Sequence, residues 1–167
     1  MMEAPCLTNV TIEYVIMIPI LILQVILFPI AAGLLMNVWV GSRRTIALQE
    51  AASNLGSTMQ QIYSELNQAA IPVGTSIMQG SSAPAFIEGY PYTGTAKLQA
   101  ASGSALNSSK VLKITLSLET AGISVSTLVI VGKNVQWSQS IFESNSTNAG
   151  ILAQKFANAT ICLSFTG

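Results

Sequence analysis

Tyr14 to Val40 reads YVIMIPILILQVILFPIAAGLLMNVWV, 27 consecutive residues without a charge. A helix of about 20 apolar residues spans the ~30 Å hydrocarbon core of a bilayer, so this run is long enough to cross one with tilt. Glu13 closes it on one side, and Arg43 and Arg44 close it on the other. Tyr14 and Trp39 sit near its two ends, where amphipathic rings favour the membrane interface. Within it only Gln24 and Asn37 are clearly polar. Pro19, Pro29 and Gly33 interrupt the run. Inside a helix each proline removes one backbone hydrogen bond and crowds the preceding turn, which predicts kinks that a membrane tolerates when neighbours re-satisfy the backbone. Such a segment belongs in a bilayer or inside something equally apolar. A kinked single-pass anchor is its simplest form.

The helical pattern continues past the run. From Thr45 there is no proline until Pro72, and Leu48, Ala52, Leu55, Met59, Ile62, Leu66 and Ala69 are spaced 4, 3, 4, 3, 4, 3. That is a sustained apolar stripe of heptad type. Ala51, Ser53, Gly56 and Ser57 lie beside it and permit close approach of another element. The stripe requires a partner: the chain's own C-terminal region, a neighbouring copy, or both.

Between Ile71 and about Ser109, Gly and Pro punctuate the chain, which reads as turns and short extended pieces. Strand signals follow. In Lys110–Glu119, Leu112, Ile114, Leu116 and Leu118 alternate with polar residues, the mark of a half-buried strand. Ile123–Val131 and Asn134–Phe142 predict two more, with Gly132-Lys133 as the turn between them, and Thr160–Phe165 predicts the last. The expected fold is α+β: a long N-terminal hydrophobic and amphipathic helix packed against a small antiparallel β-sheet or β-sandwich. The expected organisation is an N-terminal extension at 1–10, a long helix at 11–70 with 14–40 as its membrane or filament-core part, and a β-rich head at 71–167.

Composition narrows the function. Charged residues make up 8% of the 167, and there is neither Asp nor His. A Ser-His-Asp triad, a two-histidine zinc site and an Asp-based magnesium site are therefore impossible. We expect no enzyme, no metal and no cofactor. Seven cations balanced by seven acids leave no electrostatic footprint for direct binding of nucleic acid. Polarity comes from Ser, Thr, Asn and Gln instead. These hydrate almost independently of pH, which predicts a surface tolerant of acid.

Four N-x-[ST] sequons occur, at Asn9, Asn107, Asn145 and Asn158. Asn107, Asn145 and Asn158 lie in loop-like stretches of the strand region and are the glycosylation candidates of an exported protein. Cys6 and Cys162 form a possible disulfide in that setting. If residues 11–67 are a straight rod, the two lie too far apart for an intrachain bond, whose Cα atoms must come within ~7 Å. The bond would then join subunits, or the chain folds back; two thiols are the alternative. Arg43 and Arg44 after the span place the C-terminal region in the cytoplasm by the positive-inside rule, whereas the sequons argue for export. A basic leader removed before the first residue resolves that conflict.

The apolar run after Glu13, its amphipathic continuation and the β-rich region together resemble a type IV pilin-like protein. Ile12-Glu13-Tyr14-Val15-Ile16-Met17-Ile18-Pro19 is similar to the start of pilins and of tight-adherence pseudopilins, where an acid precedes an apolar run with an early proline. High Ser/Thr content, few charges and several sequons look most like archaeal pilins. The resemblance implies that Glu13 contacts the N-terminal amine of a neighbouring subunit and that the mature chain begins at Asn9. Thr8, however, stands where a prepilin peptidase expects Gly or Ala. It further implies subunit assembly through Glu13, Tyr14, Pro19, Gln24, Pro29, Gly33 and Trp39. The partners implied are the membrane before assembly, the type IV pilus assembly machinery, and other copies in a helical homopolymer. The implied product is an extracellular filament on the cell surface, drawn from a membrane-inserted precursor, for adhesion or cell-cell contact. Two other readings share the same physics: a single-pass membrane-anchored β-rich binding module, and a viral membrane coat protein.

Overall fold

The computed structural model describes residues 7–100 and 109–167, with the backbone alone for 7–13 and for Ala100. The chain divides into two units between Ser42 and Arg43, and the division falls inside a single helix, α1 (Leu7–Leu66). In the first unit α1 runs on through Pro19 and Pro29. Lacking an N–H, those prolines leave the carbonyls of Val15 and Val25 without their usual helical donors.

The second unit holds the rest of α1 and eight strands: β1 (Ser76–Gly80), β2 (Thr93–Ala100), β3 (Lys110–Leu118), β4 (Ile123–Val131), β5 (Val135–Trp137), β6 (Ile141–Glu143), β7 (Gly150–Lys155) and β8 (Ile161–Thr166). They form two four-stranded sheets, in the orders β1-β7-β8-β5 and β4-β3-β2-β6. The second sheet is antiparallel throughout; in the first, β5 runs parallel to β8. The architecture is α+β, a long helix packed against two small, mainly antiparallel sheets.

The partner of the helical stripe is the chain's own sheets. Leu48, Ala52, Leu55, Met59, Ile62 and Leu66 are at most 1% exposed and belong to one core with Leu112, Ile114, Leu116, Ile151, Leu163 and Phe142. Burying each large aliphatic side chain contributes ~1.5–3 kcal/mol. Ala51 is buried, and Gly56 brings α1 close to the second sheet: a Cβ at Gly56 would stand 3.0 Å from Val129 Cγ2. Ser53 and Ser57 point to solvent instead, with the Ser57 hydroxyl donating to the Ser53 carbonyl at 2.6 Å. Ala69, the last residue expected in the stripe, lies beyond the helix and is exposed. The chain turns after Leu66, Pro72 bars any return to helix there, and Lys155 satisfies carbonyls beyond the helix end. That buried ammonium reaches from β7 to donate to Gln68 O (2.8 Å) and Ile71 O (3.0 Å). The helix has no basic residue in its own last turn, so the favourable cation at a helix C-terminus comes from the sheet.

Several sequence expectations need correction. Asn134–Phe142 is not one strand but two, β5 and β6, in different sheets. Gly132-Lys133 is accordingly no hairpin turn but the start of a crossover between sheets. There Asn134 is fixed by Tyr63, whose hydroxyl donates to Asn134 Oδ1 at 3.1 Å, and in turn donates to Asn67 Oδ1 and Ala159 O. A Cβ at Gly132 would overlap the Tyr63 hydroxyl, so the residue that reads as a turn signal is there for close approach. The stretch read as turns and short extended pieces contains the short β1 and a full eight-residue strand, β2. Its inward positions are Gly94, Ala96 and Leu98, only the last large enough to show in an apolar alternation; a Cβ at Gly94 would lie 2.6 Å from Leu116 Cδ2. β7 (GILAQK) was also hidden, because its buried alternate positions are Ile151, Ala153 and Lys155, only one of them a large aliphatic.

Candidate functional site

Every large apolar side chain from Tyr14 to Trp39 is at least half exposed, from 50% at Ile20 to 77% at Phe28. Monomeric soluble proteins rarely expose contiguous apolar patches beyond ~300–600 Å², and this one encircles a helix. The apolar character is distributed all round, which is how a helix reads when apolar surroundings meet it on every side. This segment is the one helix among the described residues long and apolar enough to cross a membrane.

The assembly candidates sort geometrically within it. On an ideal helix at about 100° per residue, Pro19, Pro29 and Gly33 fall within about 80° of one another, and Tyr14, Gln24 and Trp39 within about 80° on the opposite side. The first face carries two prolines and a glycine with no other atom within 4 Å of where its Cβ would be, so it offers close approach. The second carries the amphipathic rings and one amide. Glu13 is helical in backbone, but its side chain lies outside the described residues.

Where the second unit begins, Arg44 Nε donates to Glu88 Oε2 at 2.7 Å, and its guanidinium stands 5.2 Å from the Tyr90 ring centre. Glu88 and Gly89 both have positive φ, +48° and +85°, in a two-residue turn closed by reciprocal Ile87–Tyr90 backbone bonds. Positive φ at both central positions belongs to a type I′ turn, which a Glu adopts at some cost; its ion pair with Arg44 offsets that. Arg44 read from sequence as one of two charges closing the apolar run, and the structure gives it this second role. The Glu-Gly dipeptide was the available signal for the turn.

The same loop is held from the core side. The buried Ser144 hydroxyl accepts from Tyr92 N (2.9 Å) and donates to Ala85 O (2.8 Å), while the Tyr92 hydroxyl donates to Pro84 O (2.8 Å). Burial pushes the Tyr92 hydroxyl up to about 12 from its ordinary value of 10.0.

The modification candidates are distributed over the strand region. Asn145 is exposed in the turn after β6. Asn158 is exposed in the turn between β7 and β8, its Oδ1 accepting from Thr160 N at 3.1 Å. Asn107 lies outside the described residues, as does the side chain of Asn9. Cys162 is a half-buried thiol on β8, and its possible partner Cys6 also lies outside them. Among the described residues no cluster of His, Cys, Asp or Glu is arranged to hold a metal.

Comparison with protein-family models, curated proteins and solved structures finds no match to this chain.

Proposed function

We propose that the chain is the structural subunit of an extracellular type IV pilus-like filament and polymerises through the N-terminal half of α1. The observation that supports this reading is the exposed apolar segment 14–40 in a helix whose other half is fully engaged by its own sheets. In a membrane-inserted precursor, lipid covers that segment; in the filament, the equivalent segments of neighbouring copies do. A head-to-tail contact that does not close on itself generates an open helical polymer. Apolar burial at ~25 cal/mol per Å² makes its core cohesive. The strand-rich units then form the outer surface, where uncharged polar residues and the sequons at Asn145 and Asn158 meet solvent. Adhesion or cell-cell contact is the role that fits such a surface.

Electron microscopy of material sheared from cells, with mass spectrometry of the filaments, tests this reading. The chain is expected as a major filament component with residues 14–40 intact. Recovery of all of it from the membrane fraction, with none in filaments, would instead make it a membrane-anchored module.

A further inference from the structure

β6 is only three residues long and pairs with β2 at Thr93–Thr95 alone. Past Thr95 no backbone hydrogen bond continues that ladder among the described residues. Two adjoining cavities of about 500 and 370 Å³ open there, and Ala96, Lys97, Trp137 and Gln139 line both. At one end Lys110 Nζ donates to Val135 O at 2.8 Å and bars the cleft. An added peptide strand would have to displace that bar, so strand addition is disfavoured.

The chemistry of the cleft is one-sided. Lys97, Lys110, Gln136 and Gln139 line it, and among the described residues no Glu does. Lys97 also stands directly opposite Lys113 in the β2–β3 ladder, and like charges so placed are destabilising. An anion against Lys97 would relieve that repulsion. The indole of Trp137 packs edge to face against Phe165, with ring centres 5.0 Å apart at 78°. Its Nε1 is sealed from solvent without a hydrogen-bond partner. Ring packing, not a polar bond, therefore holds the indole in place as a flat apolar wall.

We propose that this cleft binds a short acidic oligosaccharide. The apolar face of a sugar ring lies against Trp137, its hydroxyls meet the Gln136 and Gln139 amides, and a uronate carboxylate sits on Lys97. Amphipathic aromatic walls combined with a few placed polar groups are the usual construction of a small-ligand site. The cleft lies wholly within the second unit, so this binding does not depend on polymerisation.

The test uses the full chain in detergent micelles with Trp39→Phe, which leaves Trp137 as the sole indole of the two in the chain. Trigalacturonate is expected to change the Trp137 emission saturably, and maltotriose, its neutral counterpart, is expected to leave it unchanged. Lys97→Gln, at an exposed position, should melt at or slightly above the parent, since it removes the repulsion with Lys113, and weaken trigalacturonate binding about tenfold, the scale of one charge-assisted hydrogen bond. Absence of a saturable change, an equal response to maltotriose, or unaltered affinity in Lys97→Gln overturns the proposal. So does tetraglutamate binding as tightly as the sugar, because charge alone would then account for the site.

Discussion

The two halves of α1 are built from similar apolar residues and meet opposite fates. From Tyr14 to Trp39 the large side chains are 50–77% exposed, whereas the stripe from Leu48 to Leu66 is exposed by 1% at most. The difference lies in distribution. In the second half Glu50, Asn54, Gln61 and Glu65 occupy the outer side, so one partner on one side completes the helix. In the first half no side is polar, and a single sheet would still leave most of it bare. A stripe calls for a partner; an all-round apolar surface calls for an environment. This contrast underlies the proposal that lipid or other copies complete the first half.

The largest effect should come from one substitution made in each half. Met59→Arg puts an unpaired charge into the core, a change that costs upwards of about 4 kcal/mol. The strand-rich unit should lose its cooperative melt and become sensitive to protease. Ile26→Arg adds about 2.5–3.5 kcal/mol to membrane insertion at a helix centre and lies in the first unit, outside the core of the second. It should abolish filaments and leave the melt of the second unit unchanged, as read by near-UV circular dichroism. If Ile26→Arg unfolds the sheets as well, the halves are not separable in the way described.

Much of this was legible in the sequence, for a physical reason. The uncharged run and the period of the stripe are local patterns, and six of its seven expected positions are buried. β3, β4 and β8 show large alternating aliphatics. What escaped was determined by long-range contact. β2 turns glycine and alanine inward because Leu116 and Phe142 fill the space beside Gly94. Gly132 mimics a hairpin turn but gives way to Tyr63, which is 69 positions earlier in sequence and pins the crossover through Asn134. The Lys155 cap joins β7 to the end of α1 across 87 and 84 positions. That Lys97 stands opposite Lys113 appears only once β2 and β3 are in register.

Two smaller perturbations should act on the strand-rich unit alone. Lys155→Met keeps the aliphatic stem but leaves the carbonyls of Gln68 and Ile71 without their donor, and should cost about 2 kcal/mol in urea unfolding. Alkaline pH should act through Tyr92. Its hydroxyl ionises near 10.0 when unfolded and about 12 when folded, so the folded state resists losing the proton. That contribution is whole below pH 10 and is lost as pH rises toward about 12. Tyr92→Phe should flatten the decline over that window in an unfolding series.

The smallest effect sharpens the comparison most, because one substitution serves both halves. Replacing a helix-interior glycine by alanine favours the helix by about 1 kcal/mol through reduced backbone entropy. At Gly56 the new methyl would stand 3.0 Å from Val129 Cγ2 and 3.5 Å from Thr127 Cγ2, so crowding on β4 should cancel most of that gain. At Gly33 nothing lies within 4 Å, and the isolated subunit should keep the full gain, measured as helicity in micelles. In the proposed filament the ranking should reverse. Gly33 shares the face of Pro19 and Pro29, the side that offers close approach to a neighbouring helix, so Gly33→Ala should lower filament yield while Gly56→Ala leaves it unchanged. Equal filament yields from the two variants would remove Gly33 from the assembly face and confine that face to the side carrying Tyr14, Gln24 and Trp39.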